Sequence, residues 1–243
     1  MRAGYTGPSV AAGRVFVTDY ADGVERLLAL DERTGQTLWT REWPADYRGL
    51  DYASGPRATP TVDGDRVYAL GAMGALICAK VSDGTVLWLK DFRRDFQAEI
   101  PGWGTTAAPL VDGDRVFVVA AGRPDAKVVA LDKHSGREIW RALSADSEPG
   151  YSQPILIDAA GRRQLIVWHA GGVASLDPAQ GGVLWEVPFQ SRMNTAVATP
   201  VYERPYLLVS QFFNGSRMLR LGGAGAELAW RGASDNEISS DGL

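Results

Sequence analysis

Five tryptophans, Trp39, Trp88, Trp140, Trp185 and Trp230, recur at separations of 49, 52, 45 and 45 residues, and each closes a version of one short pattern. The eleven residues ending at each read "ALDERTGQTLW", "CAKVSDGTVLW", "ALDKHSGREIW", "SLDPAQGGVLW" and "RLGGAGAELAW". Gly35, Gly84, Gly136 and Gly181 stand four places before the first four tryptophans, whereas the fifth copy has Ala226 there. A second landmark, Pro8, Pro60, Pro109, Pro154 and Pro200, precedes each tryptophan by 28 to 31 residues and opens a short apolar run. A period of this length confines the chain to stacked copies of one supersecondary unit, each burying its faces against its neighbours.

Inside a unit the apolar residues form short β-branched and aromatic runs bounded by turn residues, the signature of strands. "PTVDGDRVYALGAMGALICAKVSDGTVLWLKDF" parses as strand A at "PTV", a turn at Asp63-Gly64-Asp65, strand B at "RVYAL", strand C at "ALICAKV", a turn at Asp83-Gly84, and strand D at "TVLWLKDF". A helix over "ERLLALDERTG" is rejected, because "KVVALDKHSG" and "GVASLDPAQG" at the equivalent place are β-branched or Gly-rich and short. Four strands per unit predict an all-β fold, a β-propeller of four-stranded antiparallel blades. The expected blades cover 5–43, 57–92, 106–143, 151–189 and 197–232, with 233–243 leading towards a further blade. In this reading the glycines supply a positive φ or a close approach at the C–D turn, and the tryptophans dock blade on blade.

Bulk properties narrow the function classes. With 25 basic against 29 acidic residues and no Lys/Arg cluster, the chain lacks the electrostatic footprint of a nucleic-acid binder. No apolar run approaches the roughly 20 residues that a membrane-spanning helix needs. A single cysteine, Cys78, excludes an intramolecular disulfide and a multi-cysteine metal site. The start of the sequence carries no secretion signal.

The pattern "AxDxxTGxxxW" resembles the tryptophan-docking motif of the PQQ-like β-propeller repeat, shared by quinoprotein dehydrogenases and outer-membrane assembly factor B lipoproteins. The copies ending at Trp39, Trp140 and Trp185 match it closely; the second has Lys80 in place of the acid and the fifth has Gly222. "GYTGPSVAAGRVFVTD" and "PGWGTTAAPLVDGDRVFVV" also look like exported bacterial proteins of the PQQ-binding-like class. The resemblance implies a periplasmic or secreted, cell-envelope location. It also implies seven or eight blades, so five units are expected to be part of a longer propeller, a five-bladed ring being the alternative.

In propellers the D–A and B–C loops share one face. Here the D–A connections "WPADYRGLDYASGPRA" and "RRDFQAEIPGWGTTAA" are long and mix aromatic, acidic and Arg side chains, as binding loops on rigid scaffolds do. The candidate binding face comprises Tyr47, Asp51, Tyr52 and Arg57, then Glu99, Trp103 and Thr105, then Tyr151, Gln153 and His169, and finally Arg192 and Asn194. The plainer role for these residues is to satisfy loop backbone and seal the channel. His134 is expected in a C–D turn on the opposite face, in solvent. No metal site is expected, since a lone His169 lacks a second nearby ligand and the Asp-Gly pairs lack an acidic ladder.

Two readings of function follow. The first is a non-catalytic binding or scaffolding module of an exported protein that presents this loop face to a protein partner or small ligand, without a cofactor. The second, implied by the resemblance, is a quinoprotein dehydrogenase holding pyrroloquinoline quinone and calcium, with Asp51 or Glu99 as the acidic group and Asn194 among ligands of suitable type. The adjacent cysteine pair of many such dehydrogenases is missing here. A sensor propeller of a larger signalling protein stands beside the first reading.

Overall fold

The computed structural model describes residues 2–211, 213 and 215–232. Among these, twenty strands form five four-stranded antiparallel sheets, each a meander in chain order. The first holds β1 (Ser9–Ala11), β2 (Arg14–Ala21), β3 (Val24–Asp31) and β4 (Thr37–Pro44). The second holds β5 (Thr61–Asp63), β6 (Arg66–Leu70), β7 (Ala75–Lys80) and β8 (Val86–Asp91). The third holds β9 (Leu110–Asp112), β10 (Arg115–Gly122), β11 (Ala126–Asp132) and β12 (Glu138–Ala142). β13 (Ile155–Ala159), β14 (Arg162–His169), β15 (Gly172–Leu176) and β16 (Val183–Pro188) make the fourth. The fifth holds β17 (Val201–Glu203), β18 (Tyr206–Ser210), β19 (Ser216–Gly222) and β20 (Gly225–Arg231). These are propeller blades, as the periodicity predicts. The expected segment 233–243 lies outside the described residues.

One strand is shorter than the sequence suggests. "TVLWLKDF" does not run to Phe92; it ends at Asp91, whose carboxylate accepts the backbone N–H of Arg94 and caps a short helix, α1 (Phe92–Phe96). Phe92 and Phe96 turn inward from α1 and are buried. The helix is thus a plug inside the D–A connection rather than a continuation of the sheet.

The chain divides into two compact units, Met1–Ile139 and Trp140–Leu243. Within the first, Phe16, Leu27, Ala29 and Trp39 of one sheet pack on Val67, Ala69, Ile77 and Ala79 of the next. Tyr68, Cys78 and Trp88 pack in the same way on Val116, Val118, Val129 and Leu131. Within the second unit, Ile166, Trp168 and Trp185 pack with Leu207, Val209 and Leu219. Strand alternation produces this, because residues paired across four strands share one face. Ser9, Phe16, Ala29 and Trp39 form such a row. Thr61, Tyr68, Cys78 and Trp88 form the next.

Each motif contributes two different halves of a joint. The indole of Trp39 lies over Gly84, that of Trp88 over Gly136 and that of Trp140 over Gly181; a Cβ on any of these glycines would come within 2.6 to 2.8 Å of the ring. The glycines sit at φ of +70°, +70° and +76°. The indole N–H groups donate to the carbonyls of Val81, Lys133 and Pro178, each three residues before the receiving glycine, at 3.1, 3.0 and 3.2 Å. The recurrent prolines serve a second joint: Ser9 Oγ donates to the Pro60 carbonyl, and Thr61 Oγ1 donates to that of Pro109 at 2.6 Å. In the fifth sheet β19 and β20 meet in a tight turn at Gly223-Ala224, which removes the carbonyl shelf. Trp185 accordingly donates to Gln164 Oε1 of its own sheet, at 2.9 Å.

Candidate functional site

Hydrogen bonds divide the loops between two faces. Glu32, Val81 and Lys133, in C–D turns, donate through their backbone N–H to Gly13, Asp65 and Asp114 in A–B turns. His134 lies on this side, half exposed, with Nε2 3.4 Å from Asp114. On the other side D–A and B–C loops interlock. In the first unit Thr105 N–H donates to the Ala72 carbonyl at 2.9 Å, and Asp51 N–H joins two successive D–A loops by donating to Gly102 at 2.8 Å. In the second unit Ser191 N–H donates to Ala170 at 2.7 Å and Ala170 N–H to Glu148 at 3.1 Å.

The first unit's loop face is built over a buried carboxylate. Glu25, at the start of β3 and fully buried, accepts the Trp43 indole N–H at 2.5 Å, the Ala72 backbone N–H at 2.8 Å and the Tyr47 hydroxyl. Burial pushes its carboxyl up, while these three donors and the positive charge of Arg57 hold it down without cancelling the rise. Gly71 makes room, since a Cβ there would lie 1.9 Å from Glu25 Oε2. Tyr47 stacks on Tyr20 at 3.9 Å and is buried, and burial followed by the Glu25 charge drives its phenol far above the usual range. Tyr47 therefore lies beneath the candidate face rather than on it. Thr105 is also interior, its hydroxyl donating to the Gly71 carbonyl at 2.6 Å.

Above this floor the structure gathers Asp51, Tyr52, Arg57 and Trp103. Tyr52 is 71 % exposed although its φ is +52°, a left-handed conformation that costs a tyrosine on the order of 1 kcal/mol or more. Its ring meets Trp103 edge-on, centroids 6.4 Å apart. The Arg57 guanidinium holds the turn closed by donating to the carbonyls of Gly55, Asp51 and Tyr52 at 3.0, 2.6 and 2.7 Å, and it lies 5.5 Å from the ring of exposed Tyr5. Glu99 stands apart, exposed and paired with Arg123 at 2.9 Å.

In the second unit Tyr151 and Gln153 are half-buried, and Tyr151 N–H donates to the Ala196 carbonyl at 2.7 Å. His169 is 3 % exposed; Nδ1 accepts the Gly171 N–H at 3.2 Å and lies 3.1 Å from Ser147 Oγ, and Nε2 is 3.3 Å from Glu186. It fastens the B–C turn. Arg192 is exposed, its guanidinium over Phe213 at 5.0 Å, and Asn194 is half-buried at φ +59°.

Sequence reasoning missed Glu25, Tyr5 and Tyr20. The signal for Glu25 was its charge inside the apolar run "VERLLALD". As for calcium and a quinone, no three His, Cys, Asp or Glu side chains among the described residues come together as a metal site. Asp51 and Glu99 have separate surroundings, so the oxygen donor set that calcium needs is not assembled from them.

A family model described as outer membrane protein assembly factor BamB matches residues 23–240. The chain belongs to this BamB family of PQQ-like repeat propellers. No curated protein sequence was found to match. Among solved structures, this BamB-family chain is similar to BamB from Moraxella catarrhalis, with 19 % identity and a TM-score of 0.67, over 94 % of this chain and 64 % of that one. It is also similar to quinohemoprotein alcohol dehydrogenase from Comamonas testosteroni, with 14 % identity and a TM-score of 0.68 over 96 % and 43 % of the two chains. A europium-containing methanol dehydrogenase gives 13 % and 0.67 over 98 % and 64 %. The chain thus spans less than two thirds of these relatives, and at such identities the likeness is one of fold. No described helix is long and apolar enough to cross a membrane.

Proposed function

We propose that the chain is a non-catalytic binding and scaffolding module of an exported bacterial protein, located in the periplasm or cell envelope, whose D–A/B–C loop face receives a protein partner. The observation that carries this reading is Tyr52: a large aromatic side chain held 71 % exposed on a left-handed backbone, edge-on to Trp103 and locked by Arg57. A backbone strain maintained under a tyrosine that stays exposed beside a half-buried Trp103 is not explained by core packing, and Tyr, Trp and Arg are the side chains that dominate protein interfaces. The family description as an assembly factor supports an envelope location and protein partners.

A photoreactive amino acid at position 52 tests this in cells that express the protein. The expected result is one specific cross-linked envelope protein, lost when Trp103→Ala is introduced. Calorimetry with pyrroloquinoline quinone and calcium is expected to show no heat. Saturable quinone binding with dye-linked alcohol oxidation would overturn the reading in favour of a dehydrogenase.

A further inference from the structure

We infer that Asp51, Tyr52 and Trp103 form a seat for a cation, filled by a lysine or arginine side chain of the partner. This rests on the loop-face reading above and adds the charge of what that face receives.

The D–A connections 43–58 and 93–108, both within the first unit, carry four acids: Asp46, Asp51, Asp95 and Glu99. Three are paired, Asp46 with Arg48 at 2.5 Å, Asp95 with Arg94 at 2.9 Å and Glu99 with Arg123 at 2.9 Å. Asp51 differs. It is exposed, and among the described residues no donor or cation meets its carboxylate. Arg57 makes no ion pair with it: the guanidinium is bound to the carbonyls of Gly55, Asp51 and Tyr52, and its positive charge acts on Glu25 beneath. The Asp51 N–H bond to Gly102 brings the two connections together, and Asp51 Oδ2 lies 3.2 Å from where a Cβ on Gly102 would stand. The unpaired charge therefore sits against the residue before Trp103 and next to Tyr52 in the chain.

Two rings border that charge. Tyr52, 71 % exposed and edge-on to Trp103, keeps much of its ring in water, and the negative π face of an aromatic ring attracts cations. Whatever covers this surface must also meet the Asp51 carboxylate. An apolar side chain would desolvate the charge without pairing it, and an acidic one would be repelled. An ammonium or guanidinium meets carboxylate and ring together, and its apolar stem covers ring surface as well. The seat is ordered before a ligand arrives, because the Asp51–Gly102 bond and the three Arg57 bonds already fix the connections, which lowers the cost of binding.

Titration of the native chain with Nα-acetyl-lysine amide, followed by the indole N–H resonance of Trp103, tests the seat without a partner. That resonance, assigned by its loss in Trp103→Phe, is expected to shift saturably, whereas Nα-acetyl-norleucine amide, a similar stem without the charge, leaves it in place. Asp51→Asn should weaken lysine binding about threefold at low salt, an effect that shrinks as salt rises, and Tyr52→Leu should weaken it about as much. Both side chains are exposed, so circular dichroism should show each variant folded. An unmoved resonance, an equal shift with the norleucine derivative, or unchanged affinity in Asp51→Asn would each overturn the inference. In cells, with the photoreactive amino acid at exposed position 5, Asp51→Arg is expected to lose the cross-linked partner. A partner captured equally by the native and Asp51→Arg chains would overturn the seat and leave the loop-face reading in place. A chain that captures no protein yet binds the lysine derivative through Asp51 would uphold the seat and remove the loop-face reading.

Discussion

A methyl group on Gly84 would lie 2.6 Å from Cε3 of Trp39, so the glycine of one motif is the floor beneath the tryptophan of the motif before it. Arg41 reinforces the same joint by donating to the carbonyls of Asp83, at 2.7 Å, and Gly84. The motif recurs because a blade such as the second offers a floor on one face, Gly84 under Trp39, and an indole on the other, Trp88 over Gly136.

Gly84→Ala and Gly35→Ala separate the two demands on these glycines. Both residues sit at φ +70°, so both substitutions incur the left-handed cost of about 1–2 kcal/mol, but only the first also displaces an indole. Urea denaturation should show Gly84→Ala losing at least about 1 kcal/mol more than Gly35→Ala. Trp39→Ala should lose about 3–5 kcal/mol. Equal losses for the two glycine variants would refute the docking role.

Two buried carboxylates of the first sheet make opposite contributions to pH dependence. Burial raises the Asp19 carboxyl, but the paired hydrogen bonds from Arg26, both 2.7 Å, and the Arg2 backbone N–H outweigh it and leave the value below 3.8. That contribution is present above 3.8 and is lost as pH falls through the lowered value. Glu25 is raised above 4.5, so its contribution is present below 4.5 and is lost as pH rises through the raised value. Denaturation midpoints against pH should therefore flatten on the acid side in Asp19→Asn and on the side above 4.5 in Glu25→Gln. Parallel profiles for Glu25→Gln and the native chain would show that the burial of Glu25 carries no proton linkage.

Tyr52→Asn is expected to leave the fold as stable as the native chain or up to about 1 kcal/mol more so, because asparagine tolerates the left-handed region that Tyr52 occupies. With the photoreactive amino acid placed at exposed position 5 instead, the same variant should lose the cross-linked partner. Thermal unfolding measures the first effect, and a clear destabilisation would assign Tyr52 to packing.

Burial pushes the Cys78 thiol up to about 11, ahead of the opposing influence of Arg66. At pH 8 the native chain should not react with a thiol-specific disulfide reagent, and one equivalent should react on denaturation. Prompt labelling of folded protein would contradict the buried position.

Much of this was legible along the chain. The tryptophan and proline periods, the alternation in "RVFVTDY" and "RVYAL", and the Asp-Gly turns define four-strand units because strand pairing is local: a meander needs only its own turns and its own alternation. The helix over Phe92–Phe96 was hidden, since its apolar residues continue the strand and only the Asp91 cap marks the change. The long D–A loops pointed to the candidate face, but Tyr47, the same residue type as exposed Tyr52, and Thr105 lie inside.

The sequence by itself determined the unit, its four strands, its turns and the family. Tertiary structure decided which glycine receives which indole, which aromatic residues of a loop reach solvent, and that Glu25 is the floor of the loop face. Local hydrogen bonding and alternation depend on neighbours a few residues apart and are written in the chain. The Trp39–Gly84 joint and the Glu25–Ala72 hydrogen bond link residues more than 40 positions apart, and only packing one blade on another brings those partners together.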